Sequence, residues 1–233
     1  MNGFRAMLGK ELQVLYTAPL AWAVIAIFLL LTGYTFSAWL IVGQNASLVR
    51  VVHQSAVLLL LFMPVITMRT FAEERRHGTL ALLLSTPVDE MALVLAKFLA
   101  SLSLVCAMLI PTLLYPVLLA HFGHPDWGTV QAGYLGLLLH ASALTALGLC
   151  LSALSTNQLV AAVMSLGLGM LLWVLDSLGR MLPEPFDVLV VNTSLIAHFT
   201  PLSVGVVYLS DVGYFLSITA LGLLGAVRAL ARP

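Results

Sequence analysis

The chain has 233 residues, 61% hydrophobic and 9% charged, with ten basic and ten acidic residues and a formal net charge of zero. A mean hydropathy of +1.06 excludes an ordinary soluble domain and points to a single all-α polytopic membrane domain over residues 1–233, because a spanning segment must satisfy its own backbone. Zero net charge gives no basic face for nucleic acid, and the two cysteines, Cys106 and Cys150, lie in apolar runs where they read as small hydrophobes.

Residues 1–18 carry Phe4, Met7, Leu8, Leu12 and Leu15 at helical spacing, with Arg5, Lys10, Glu11 and Gln13 mostly on the other side. That pattern predicts a helix lying in the membrane interface. Thr17, Pro19 and Trp22 mark the entry to a first span over 20–41. The apolar run continues too long for a cleavable leader, so this span is expected to be its own targeting signal. After a polar turn at Gly43–Ser47, a second span covers 48–67. Arg50, His53 and Gln54 occupy its first turns and are expected at the outer interface or against a wet cavity, and Pro64 is expected to bend the inner end.

The one dense run of charge follows, from Met68 through Arg69, Phe71, Glu73, Glu74, Arg75, Arg76 and His77 to Gly78 and Thr79. Phe71 to His77 predicts about two helical turns, which Gly78 ends in the left-handed conformation with basic residues at the C-terminal end of the dipole. Thr79 is a cap for a short apolar helix over Leu80–Leu84, and Thr86, Pro87 and Asp89 mark a third helix start. The region 69–86 therefore reads as a folded elbow in water between two spans.

A third helix over 87–120 is amphipathic as far as Lys97, which is expected to snorkel to the headgroups, and Pro111 and Pro116 interrupt its outer half. In the turn after it, Gly and Pro around His121, His124 and Asp126 read as turn chemistry and not as a metal site. A fourth span over 130–154 carries His140, Ser142, Thr145 and Ser152, with Gly148 and Ser152 as a small-xxx-small pair. His140 is either a functional intramembrane ionisable group or a hydrogen-bonded structural histidine. A fifth span covers 158–175, and Asp176 and Arg180, one turn apart, are expected to pair. Residues 178–210, broken by Pro183, Pro185 and Pro201, predict short outer or re-entrant helices, and a sixth span covers 212–227. Arg5, Lys10, Arg69, Arg75, Arg76, Lys97, Arg228 and Arg232 fall on one side, with Arg50 and Arg180 on the other, which puts both termini and the charged elbow in the cytoplasm.

The run from Met68 to Pro87 follows the pattern Met-Arg-x-Phe-Ala-Glu-Glu-Arg-x-x-Gly-Thr-x-x-x-Leu-Leu-x-x-Pro. It resembles the charged loop after the second membrane helix in permeases of ATP-binding-cassette (ABC) type-2 exporters, especially the GldF-like gliding-motility subfamily. Lys97, Gly133–Gly136 and Leu151–Gln158 extend the resemblance over most of the chain. It implies an N-terminal elbow helix, a coupling helix in the cytoplasmic loop, and a permease in a bacterial inner membrane that works as a homodimer or related heterodimer. Separate cassette ATPases would bind ATP and Mg, and an accessory envelope protein is a further possible partner. Phe71, Glu73, Glu74, Arg75, Arg76, Gly78 and Thr79 would form the ATPase-coupling interface, with Phe71 as its apolar anchor.

No Gly-x-x-x-x-Gly-Lys-Ser/Thr loop, Gly-x-Ser-x-Gly elbow or His-Glu-x-x-His pair occurs, so no nucleotide site, catalytic residue, cofactor or metal is expected on this chain. The alternatives are a self-contained secondary transporter or channel using His140, with Ser142 and Thr145 as further pathway or helix-interface groups, and an intramembrane hydrolase built on His140 with Ser142 or Ser165. Uncharged span interiors argue for a lipid-like or largely apolar cargo.

Overall fold

The computed structural model describes residues 2–43, 47–76, 78, 89–122, 125–183 and 186–231. Among the described residues the secondary structure is entirely helical: α1 Asn2–Thr17, α2 Pro19–Gly43, α3 Val49–Thr67, α4 Ala72–Arg76, α5 Glu90–Thr112, α6 Leu114–Phe122, α7 Trp127–Leu154, α8 Gln158–Gly179, α9 Phe186–Val191, α10 Leu195–Ser203 and α11 Leu209–Leu230. Six apolar stretches long enough to cross a membrane lie on α2, α3, α5 continued by α6, α7, α8 and α11.

Several boundaries differ from those read in the sequence. The third helix is described from Glu90, with Asp89 in extended conformation at its N-cap position, and Pro87, where the sequence puts its start, lies outside the described residues. It breaks at Leu113, two residues after Pro111, and Pro116 sits in the first turn of α6, where a missing N–H costs no helical bond. The charged helix is described over Ala72–Arg76 and starts after Phe71, since Met68–Phe71 form a turn first; His77 lies outside the described residues. The expected elements at Thr79, Leu80–Leu84 and Thr86 lie outside the described residues. The stretch with three prolines holds two short helices, α9 and α10, and α11 begins at Leu209 instead of 212.

The centre of the bundle is α7, on which α3, α5, α8, α10 and α11 all pack. Small residues set these approaches. A Cβ on Gly222 of α11 would stand 2.7 Å from the Ala146 carbonyl carbon, so the two helices meet backbone to backbone. Gly148 lies against Thr67, the last residue of α3.

Three buried clusters follow the length of the bundle. A large central one includes Phe28, Met63, Leu104, Phe199 and Phe215; a second joins Met7, Phe71, Leu93, Leu149 and Leu230; a third joins Phe36, Leu48, Val51, Leu119 and Val130. The second cluster brings together α1, the segment before α4, the start of α5 and the ends of α7 and α11. That is the end of the bundle where the charged run sits.

Local capping follows from the residue types at the helix starts. Asp126 caps α7, accepting from Thr129 Oγ1 at 2.6 Å and Gly128 N at 3.0 Å, and these bonds hold its carboxyl below the ordinary aspartate range. Asn157 caps α8 through Leu159 N at 2.9 Å. Arg180 pairs with Asp176 through two bonds of 3.0 and 3.1 Å, as the i,i+4 spacing predicts.

Candidate functional site

The charged run is held by its own chain from three directions. First, Ser152 in the last turn of α7 accepts hydrogen bonds from Phe71 N at 3.2 Å and Ala72 N at 3.1 Å, and its hydroxyl faces Met68 O at 3.3 Å. The first amides of a helix have no partner inside it. A serine usually caps its own helix, but here it caps α4 from a different one.

Second, Arg75 Nη1 donates to Ala153 O at 2.7 Å. That carbonyl is one of the four left open at the C-terminus of α7, where a guanidinium is favoured by hydrogen bonding and by the helix dipole. Third, Lys97 Nζ on α5 donates to Glu74 Oε1 at 2.8 Å and to Glu11 Oε2 on α1 at 3.0 Å. Lys10 closes the network at 3.3 Å from Glu11, so two cations face two carboxylates. The Lys97 ammonium also stands 5.1 Å from the centre of the Phe71 ring.

These contacts correct two expectations. Lys97 does not snorkel: it is 2% exposed, because α1 and α4 bring carboxylates to it and cover it. Phe71 is wholly buried among Leu93, Leu149 and their neighbours, so its ring anchors the segment to the chain's own interior and not to a partner surface. Glu74 and Arg75 likewise point inward. Arg69, Arg76 and Gly78 are exposed and Glu73 is partly so. Gly78 has φ +70 and donates its N–H to Arg75 O at 3.2 Å, the left-handed helix stop that the sequence predicts. Thr79 lies outside the described residues. Beside the network a cleft of about 290 Å³ runs between α1, α2 and α5, lined by Lys97, Glu11 and Arg69 and by apolar Val14, Val24 and Leu104.

The intramembrane candidates do not converge. His140 is fully buried with ring centroids of Trp173, Phe199 and Phe215 at 5.6, 5.6 and 6.0 Å, and neither of its ring nitrogens has a hydrogen-bond partner among the described residues. Ser142 and Thr145 each donate to the carbonyl four residues earlier in α7, at 2.7 and 2.6 Å. Neither bonds His140, so the three form no relay. Arg50, His53 and Gln54 do line a cavity of about 300 Å³, with the Arg50 guanidinium 3.8 Å from the Trp39 ring centre and His53 Nε2 2.9 Å from Ser203 Oγ.

Sequence reasoning passed over Glu11 and Ser152 as functional residues. Glu11 carried one signal, a carboxylate on an otherwise apolar or basic helix; Ser152 stood out only as one of several polar or small groups in the fourth span.

Replacing Ser152 tests how firmly α7 holds the segment. Ser152→Ala leaves two buried amides without an acceptor, at a cost of about 1–3 kcal/mol. Amide exchange at Phe71 and Ala72 should quicken by about tenfold or more while exchange in the middle of α7 is unchanged. Unchanged rates at both amides would show that the cap contributes nothing.

A search of curated proteins finds no match. The family model described as "ABC-2 family transporter protein" matches residues 44–230, which takes in every spanning helix except the first, and the charged segment with all of its α5 and α7 contacts. With six apolar helices and this match over most of its length, the chain belongs to the ABC-2 family of transporter membrane proteins.

Proposed function

We propose that the chain is the permease subunit of an ATP-driven ABC type-2 exporter of the GldF-like kind. It works as a dimer with a like or related permease in a bacterial inner membrane, both termini in the cytoplasm. Cassette ATPases carry the nucleotide and Mg. The observation that supports this reading is that residues 68–76 are bonded to α7 and α5 and reach α1 through the Lys97–Glu11 bond and the Lys10–Glu74 pair at 3.9 Å. A partner that pushes on a loosely held loop moves only the loop. A partner that pushes on this segment moves the ends of two spanning helices and the interfacial helix with it. In this reading α1 is the elbow helix, α4 the coupling helix, and α9 with α10 the outer, re-entrant part of the gate. The cargo class that fits uncharged spans is lipid-like or largely apolar.

The ATPase contact then falls on the residues left facing outward, Arg76 and Glu73 with Arg69 and Gly78, while Phe71, Glu74 and Arg75 transmit the motion. Co-expression with a cassette ATPase encoded beside the chain, followed by purification through a tag on the permease, checks this. Glu73→Ala with Arg76→Ala is expected to lower ATPase recovery by about tenfold or more, since loss of desolvated charge contacts costs 2 kcal/mol or more, with the permease still folded. Wild-type recovery without any ATPase, or equal recovery with the double variant, would refute the assignment.

A further inference from the structure

His198, on α10, has both of its ring nitrogens and its ring face engaged at the other end of the bundle. Its Nδ1 lies 2.8 Å from Asp211 Oδ1 on α11, and its Nε2 lies 3.0 Å from Asn192 O in the turn between α9 and α10. Tyr214, three residues beyond Asp211, stacks on the imidazole with ring centroids 4.0 Å apart and planes 23° apart, and its hydroxyl donates to Thr193 O at 2.5 Å. The first two turns of α11 thus grip α10 through the His198 ring and the preceding turn through the Thr193 carbonyl, while His198 itself ties α10 to the Asn192 carbonyl.

The hydrogen count of this arrangement is constrained. A carbonyl oxygen only accepts, so Nε2 carries a hydrogen. Asp211 is 5% exposed and its Oδ1 sits at hydrogen-bond distance from Nδ1, so one hydrogen must also lie between those two atoms. Two states satisfy this: an imidazolium donating to a carboxylate, or a neutral imidazole accepting from a carboxylic acid. Both hold one proton more than a neutral imidazole beside a carboxylate. When that proton leaves to water, the neutral imidazole keeps one hydrogen for two acceptors, so either Nδ1 faces Asp211 Oδ1 at 2.8 Å or Nε2 faces Asn192 O at 3.0 Å with a bare lone pair. Whichever tautomer forms, one of the two contacts changes from attractive to repulsive.

The groups facing His198 are Asp211 and Tyr214 from α11 and the backbone carbonyl of Asn192. The other helices packed on α10 bring their ionisable groups elsewhere: His53 of α3 to Ser203, His140 of α7 to Phe199, and Asp176 of α8 to Arg180. We infer that His198 and Asp211 form a proton-binding site that latches α10 and its preceding turn onto α11, and that loss of the proton opens the latch. This inference does not depend on an ATPase partner.

Hydrogen exchange of the full chain in lipid nanodiscs, corrected for intrinsic rates, tests it between about pH 5 and pH 8, the range over which histidine switches act. In the wild type, protection over residues 186–208 is expected to fall as pH rises, by up to about tenfold per pH unit for a single linked proton, while α7 keeps its protection. Asp211→Asn supplies an amide hydrogen to the neutral Nδ1 and should hold the latch closed at every pH. His198→Phe keeps the stack on Tyr214 but has nothing to titrate, and should also remove the pH dependence. Flat wild-type protection across the range overturns the proposal. So does wild-type pH dependence that persists in either variant.

Discussion

Lys97→Met is expected to lower the stability of the folded chain by about 3–5 kcal/mol, read by chemical unfolding in mixed micelles. The methionine stem fills nearly the same volume, so the loss is electrostatic. It leaves Glu11 and Glu74, whose side chains are 10% and 16% exposed, facing each other without the cation that lies 3.0 and 2.8 Å from them. Lys10, 48% exposed at the rim, offsets only part of that. The pH dependence has a definite sign. Burial already raises the Glu74 carboxyl above its ordinary value and the Lys97 charge opposes that rise, so removing the cation raises it further. The stability that Glu74 contributes in the variant is therefore lost as pH rises through the raised folded value, and the deficit against wild type widens toward neutral pH. Adding Glu11→Gln and Glu74→Gln to Lys97→Met should recover most of the loss, since removing an entire buried network is far cheaper than removing one member. A Lys97→Met chain within about 1 kcal/mol of wild type would mean that the network behaves as an exposed pair and holds nothing.

The network also shows where sequence reasoning stops. Six spans are legible because an apolar run of about twenty residues is a local property, and the same holds for the Asp176–Arg180 pair and the left-handed Gly78. Lys97 was different. A lysine near the start of an apolar helix either reaches water or meets a carboxylate, and nothing in its neighbours along the chain distinguishes the two. The deciding residues, Glu11 and Glu74, are 86 and 23 positions away. Phe71 is similar: set in a charged run it reads as an apolar anchor for a partner, while its burial depends on Leu93 and Leu149 in other helices. His198 was hidden by the broken, proline-rich stretch around it, which has no periodicity to assign a face. The location of the candidate site was therefore legible, but which of its side chains face outward was not.

Gly148→Ala is expected to cost about 1–3 kcal/mol and to loosen the charged segment as well, although the substitution adds one methyl group. A Cβ at this position would lie 2.8 Å from the Thr67 Cβ and closer still to its Oγ1. Thr67 cannot swing aside easily. It is fully buried, β-branched, and its hydroxyl donates to Met63 O at 2.9 Å. The ends of α3 and α7 must then move apart. Thr67 is the last residue of α3, and Met68, Phe71 and Ala72, the backbone partners of Ser152, follow directly. Ser152 lies one turn beyond Gly148 on the same face of α7, so separation at residue 148 lengthens the cap bonds at 152. Amide exchange at Phe71 and Ala72 should therefore quicken in Gly148→Ala as it does in Ser152→Ala. A double-mutant cycle isolates the cause. Thr67→Ala removes Oγ1 and Cγ2 and keeps only the 2.8 Å contact, so Gly148→Ala with Thr67→Ala should be more stable than the sum of the single changes predicts, by about 1 kcal/mol or more. Additive losses would separate the glycine from Thr67. In that case α3 and α7 are not held at this point, and a push on the charged segment would reach α7 through Ser152 and Arg75 alone.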